Sequence, residues 1–345
     1  MELSELIRRY YAPLMAKYGH RLGPQHLQAI EATLACRTQR YGEMQLHCKP
    51  CDIDLSLYHS CGHRSCPRCQ NYDTTRWLER QQQKLLPVDY FMVTFTLPYE
   101  LRALVWHNQK PLYTLLIQCA VSTLKDFGAN KKSLGGDLGL TAVLHTHTRR
   151  LDFHPHVHII VPGGCINNKR KQWIKLKGRY LFNEFALAKV FRGRFLAALK
   201  AQNDTLPKTP VKWVVDCQHV GQGLPALKYL SRYLYRGVIS EKNILSDDGT
   251  HVTFRYLDSK TKTFKTRTLK GEDFLWRVFQ HVLPKRFRRT RDFGFLHGNA
   301  KKRLRLVQWV LRVIITQPEP RPRPTCCCRR CGAPMALVKN TFRSD

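Results

Sequence analysis

At 345 residues the chain has room for one full-sized core and a smaller accessory module. Its 58 Lys and Arg against 25 Asp and Glu leave a formal charge of +33, spread along the chain. A compact body so charged calls for a polyanionic partner, nucleic acid first and an anionic membrane surface a distant second. A hydrophobic share of 43% excludes global disorder, and no apolar run approaches the ~18 residues that cross a bilayer.

The opening stretch MELSELIRRYYAPLMAKYG alternates apolar and charged residues at helical spacing and lacks a signal peptide's apolar run. A cytosolic location is therefore expected. Residues 1 to about 35 predict two short helices broken near Gly19 and Gly23-Pro24. Residues 36 to 69 follow as a dense Cys/His segment. Here Cys48-x-x-Cys51 and Cys66-x-x-Cys69 lie 14 residues apart. In a reducing compartment such paired knuckles hold metal, and four thiolates close a tetrahedral Zn2+ shell. One structural zinc on Cys48, Cys51, Cys66 and Cys69 is thus expected, with a role in DNA recognition and none in chemistry. Cys36, His47, His59, Cys61 and His63 crowd the same segment, as ligands of a second ion or as bystanders.

From Tyr90 the pattern is mixed α/β. YFMVTFTLP alternates as a strand, and an amphipathic helix is expected from Glu100 to about Phe127. Leu138–His147 and His154–Pro162 predict a hairpin ended by Gly163-Gly164. A helix over about Asn183–Ala201 precedes a strand at Val211–Val220, and helix Pro225 to about Val238 comes next. Two strands around HVTFRY and TFKTRTL lead into a helix over Glu272–Val282. After about Lys301 the chain is basic, with a Pro-rich stretch and the pair Cys328-x-x-Cys331, which is only half a metal site.

Residues two apart on a strand share a face, so His156 and His158 point together while Val157, Ile159 and Val161 turn the other way. Two imidazoles side by side on a rigid strand supply most of a metal site. A divalent ion there, Mg2+ or Mn2+, would bind a phosphate oxygen and stabilise charge in the transition state. The third ligand is open among His154, His145, Gln218, His219 and Gln222.

A nucleophile is then needed. In LPALKYLSRYLYRGVIS, Leu227, Leu230, Leu234 and Val238 form one helical stripe. Tyr229 and Tyr233, four apart, share another face, beside Arg232 and Arg236. A phenol is a weak nucleophile near pH 7, and neighbouring cations favour its phenolate. The other reading, two exposed tyrosines on a DNA-contacting helix, is displaced by the histidine strand. Farther on, KRFRRTRDFGF places Lys285, Arg286, Arg288 and Arg289 where they can neutralise phosphates. Phe287, Phe293 and Phe295 either stack on unpaired bases or belong to the core.

HPHVHIIVPGG resembles the HUH motif, and KYLSRYLYRGVIS the tyrosine helix, of the two-tyrosine rolling-circle insertion-sequence transposases. HSCGHRSCPRCQ, YFMVTFTLP, VTFRYLD and HVLPKRFRRTRDFGF resemble that family in the same order, so the likeness covers roughly residues 20 to 300. It implies an α+β fold, the HUH-endonuclease antiparallel sheet flanked by helices, with an N-terminal Cys-rich zinc module. Three segments are expected: 1–75 for zinc binding and DNA recognition, 85–300 for the nuclease, and 301–345 as a basic tail. The resemblance further implies catalytic tyrosines at Tyr229 and Tyr233 and a metal pair at His156 and His158. Its chemistry is cleavage of single-stranded DNA at element ends through a 5′-phosphotyrosine, without a nucleotide cofactor. His147, where an aromatic residue is expected, and the position of Gly62-His63 depart from the pattern. A replication initiator or relaxase would use the same chemistry. A histidine-triad hydrolase fits the zinc module and charge poorly, and a non-catalytic zinc regulator leaves the histidines unexplained.

Overall fold

Runs rich in β-branched and aromatic residues favour a pleated, half-buried surface, and three of them form the middle of the main sheet. In a computed structural model these are Asp89–Thr96, Gly139–His147 and Phe153–Pro162. The model describes residues 1–201, 206–225, 227–228, 238–258, 261–314 and 325–342, side chains of 70–74 excepted. Among them the sheet runs, in spatial order, Thr290–Gly294, Gly139–His147, Phe153–Pro162, Asp89–Thr96 and Val215–Gln222. Every neighbouring pair is antiparallel. Together with its flanking helices this is the α+β fold expected from the sequence.

Alternation gives the sheet two unlike faces. Phe91, Val93, Phe95, Leu140, Ala142, Leu144, Val157, Ile159, Val161 and Val215 share one buried core. Helices Gln109–Ala129 and Glu184–Lys200 pack on the sheet. The second helix starts at Asn183, whose side chain accepts the Ala186 N–H at 2.9 Å as an N-cap. It buries Leu187, Phe191, Phe195 and Leu199, at steps of four. The helix expected over Glu100–Phe127 is two helices, Arg102–His107 and Gln109–Ala129, because Asn108 leaves helical geometry at φ −127°, ψ 46°.

Contacts divide the chain into two compact units, 74–234 with 283–316, and 1–73 with 235–282 and 317–345. That division departs from the three consecutive segments set out above: 235–282 and the late segment group with the first 73 residues. In this second unit the helices Leu3–Tyr18, Pro24–Ala35 and Gly271–Phe279 meet strands Ile244–Asp247, His251–Leu257 and Phe264–Lys270. The Tyr10 hydroxyl donates to Asp247 at 2.5 Å, and Tyr18 and Lys17 both donate to Asp273 at 2.6 Å. A separate three-stranded sheet has the order Ala336–Asn340, Glu43–Cys48, Ile53–Tyr58. Its buried centre consists of Leu46, Cys48, Cys328 and Met335. No helix among the described residues is long and apolar enough to cross a membrane.

Candidate metal centres

The polar face of the main sheet carries the histidines. His156 sits opposite His145 on one neighbouring strand and Thr96 on the other, and His158 opposite Val143 and Thr94. His145, His156 and His158 each offer one ring nitrogen, and these three atoms lie within 4.8 Å of one another. His145 was one of five open candidates from the sequence, and the strand register brings it to the pair. His219 and Gln222 instead pair with Phe91 and Asp89, three or more residues from Thr94 and so ~10 Å along the sheet. Gln218 pairs with Met92, two residues from Thr94 and so ~7 Å along the sheet. His154 also lies outside it: Arg102 donates to its Nδ1. Pro155 is inside the strand, next to the register irregularity between His145 and His147, where a missing N–H is tolerated.

Burial governs the charge of the cluster. It pushes His156 down to about 4 and, with help from neighbouring His156, His158 down to about 3. His145 falls well below the usual imidazole range, by burial first, then by the adjoining imidazoles and Arg289. At neutral pH all three rings are therefore uncharged, the form that ligates metal. The other nitrogens of His156 and His158 are also engaged. His156 Nδ1 donates to the His154 carbonyl at 2.7 Å, which leaves Nε2 with its lone pair, and His158 Nδ1 lies 2.8 Å from Thr94 Oγ1. Such partners fix tautomer and ring orientation in metal sites. Three neutral imidazoles fit a divalent ion, and an all-nitrogen donor set suits Mn2+ better than oxygen-seeking Mg2+.

Two cations flank the cluster. Arg102 acts electrostatically on both His154 and His156, and the Arg289 carbonyl accepts the Leu144 N–H at 3.0 Å, next to His145. Arg102 carries no local signal in the sequence; only the pairing of Asp89–Thr96 with the histidine strand places it. Lys285, Arg286 and Arg288 are exposed. Phe287 and Phe295 are core residues, 3% and 0% exposed. Phe287 meets Tyr113 edge-on at 5.7 Å, Phe295 meets Trp173 at 5.9 Å, and Phe293 packs against the core partly buried. None of the three stands free to stack on bases. Tyr229, Arg232, Tyr233 and Arg236 lie outside the described residues.

The cysteines correct the sequence expectation. Cys48, Cys51, Cys66 and Cys69 do not gather in one shell. Cys66 and Cys69 group with Cys36 and Cys61, whereas Cys48 and Cys51 group with Cys328 and Cys331. Knuckle pairs are interchangeable as sequence, and long-range packing decides which pair meets which. In the first group Cys69 Sγ lies 3.5 Å from Cys36 Sγ and 3.4 Å from Cys61 Sγ, near the ~3.8 Å edge of a tetrahedral tetrathiolate zinc. Cys36 and Cys61 were thus ligand candidates rather than bystanders. His47 and His59 stand apart, 2.9 Å from Asp54 and Asn340 respectively, and His63 Nδ1 accepts the Ser65 N–H.

Comparison with known proteins places this architecture among DNA-mobilising proteins. The model of a transposase zinc-binding domain matches residues 6–97, and a family model described as "Putative transposase" matches residues 139–303. The chain is similar to "Putative transposase y4qJ" of Sinorhizobium fredii (strain NBRC 101917 / NGR234), 31% identical over 94% of this chain and 86% of that protein. It is also similar to the "Transposase for insertion sequence element IS801" of Pseudomonas savastanoi pv. phaseolicola, 29% identical over 78% of this chain and 70% of that one. No solved structure matches significantly. The chain belongs to the IS91/IS801 family of insertion-sequence transposases, with a zinc-binding domain preceding the transposase domain.

Proposed function

We propose that the protein cleaves and rejoins single-stranded DNA at insertion-sequence ends, in the bacterial cytoplasm, using Tyr229 or Tyr233 as nucleophile. The observation that carries this is the cluster of three neutral imidazoles, His145, His156 and His158, on one sheet face. A divalent ion held there supplies electrostatic stabilisation of a phosphate oxygen. The tyrosine oxygen forms a bond to phosphorus while the bond from phosphorus to the 3′ oxygen breaks. The leaving oxygen takes a proton and becomes a free 3′-OH, and the 5′ phosphate stays on the enzyme. Attack by a DNA 3′-OH on that phosphotyrosine restores the phosphodiester, so no nucleotide triphosphate is required.

Arg102 and Arg289 add positive charge beside the cluster, and Lys285, Arg286 and Arg288 offer an exposed basic surface. Arg232 and Arg236 would add to it from the tyrosine helix. The first 75 residues would recognise the element end. A replication initiator or relaxase would share the chemistry, and the named relatives favour the transposase. Labelled single-stranded DNA from the element ends, incubated with Mn2+ or Mg2+, is expected to give a denaturation-resistant protein–DNA adduct. The adduct should be absent in a Tyr229→Phe, Tyr233→Phe double variant and in His156→Ala. Nicking without an adduct, or an adduct that survives the tyrosine variant, sinks the mechanism.

A further inference from the structure

We infer that the protein holds a second tetrathiolate zinc site, built jointly by Cys48 and Cys51 and by Cys328 and Cys331. The late knuckle lies outside both family-model matches, which end at residues 97 and 303. Its four sulfurs lie within 4.8 Å of one another, with Cys48 and Cys331 3.6 Å apart. A Zn–S bond of ~2.3 Å in tetrahedral geometry requires ~3.8 Å between sulfurs.

The two half-sites have the same backbone design. The Asp52 N–H donates to the Cys48 carbonyl at 2.8 Å, and the Gly332 N–H to the Cys328 carbonyl at 2.9 Å. In each turn the residue after the second cysteine takes a left-handed conformation, Asp52 at φ +54° and Gly332 at φ +73°. Each turn also closes a pair of antiparallel segments. The first joins Glu43–Cys48 to Ile53–Tyr58, and the second is held by the bridge between Cys327 and Pro334. The Arg330 N–H points at Cys328 Sγ from 3.4 Å. Two matched hairpin turns presenting paired thiolates to one point make a closed, structural site rather than an open catalytic one.

The rest of the late segment is fastened to the same hairpin. Ala336–Asn340 adds a strand beside Glu43–Cys48, the Thr341 N–H donates to the Glu43 carbonyl at 2.9 Å, and His59 stacks on Phe342 at 4.8 Å. Gly42, at φ +79°, lets this backbone approach: a Cβ there would stand 2.1 Å from the Thr341 oxygen. Among the described residues four are buried under the sheet, two of them the proposed ligands Cys48 and Cys328, with Cys51, Ile53, Leu55, Leu57 and Cys326 packed partly buried against them. A bound metal would add to so small a core the cross-link that small domains commonly use.

The test uses the full, zinc-loaded chain and thiol alkylation read cysteine by cysteine by mass spectrometry. Cys327 and Cys331 are both exposed, so without metal they should react alike. Zinc at the proposed site protects Cys331 and Cys328 by about tenfold or more over Cys327, and a chelator abolishes that protection. A Cys328→Ser, Cys331→Ser double variant should hold one zinc equivalent less than the unaltered chain, and Cys331→His should keep it. If Cys328 and Cys331 alkylate as fast as Cys327 in the zinc-loaded chain, the proposal fails. It fails too if their protection yields to a reductant instead of a chelator. A double variant that misfolds leaves the decision to the alkylation of the unaltered chain.

Discussion

The histidine face and the cysteine ribbon both gather metal-ligating side chains, but they stand in opposite relations to the fold. His145, His156 and His158 ride on strands whose other face is packed by Phe91, Phe95, Val157 and Ile159 within a large core. Those strands keep their register whether or not an ion is bound, so the fold organises the site. The sheet of Glu43–Cys48, Ile53–Tyr58 and Ala336–Asn340 has a buried centre of four residues, two of them cysteines of the thiolate group. There the site organises the fold. Losing the metal should therefore cost chemistry in one place and structure in the other.

Zinc removal should have the largest effect. Structural zinc contributes ~10–16 kcal/mol of apparent binding free energy in small domains. A chelator is expected to erase hydrogen-exchange protection at Glu43–Cys48 while strand Phe153–Pro162 stays protected. If both segments lose protection, or neither does, the contrast is broken. Phe195→Ala probes the opposite side. Phe195 is fully buried beside Phe191 and Trp213, so denaturant melting of the sheet unit should show a loss of ~3–5 kcal/mol. Zinc content should not change. The smallest and sharpest test is Thr94→Val, which removes the hydroxyl beside His158 Nδ1 and keeps the side-chain shape. Loss of such an orienting partner lowers metal affinity by ~10–100-fold. A Mn2+ titration followed by electron paramagnetic resonance should show that drop with an unchanged melting temperature. An unchanged Mn2+ affinity would mean that Thr94 does not orient the ring.

How far these centres were legible in the sequence depended on how local their geometry is. The shared face of His156 and His158 follows from the two-residue period of a single strand, and the structure keeps it. His145 needed the register of a second strand, which is set by the packing of Leu144 and Val157 on the far face; hence it stood level with four other candidates. Arg102 needed a third strand and was not visible at all. The cysteines show the same limit more plainly. Each C-x-x-C turn was evident, but nearness in sequence paired Cys48 and Cys51 with Cys66 and Cys69. The strand Ala336–Asn340 brings a different pair instead. Phe287 and Phe295, undecided between base stacking and core, are settled by burial. The helix break at Asn108 lay within a continuous amphipathic pattern and gave no punctuation to read.

The pairing of Cys48 with Cys331 spans 283 residues. At ~5–20 residues per second of synthesis, the first half of this thiolate group waits roughly 15–60 s for its complement. During that wait strand Glu43–Cys48 has one unpaired edge, and the Cys48 and Cys51 thiols are open to oxidation or to a stray metal. A chain released early would carry every histidine and tyrosine of the proposed nuclease yet lack half of this cluster. Only a chain read through residue 331 can bring all four of these thiolates together.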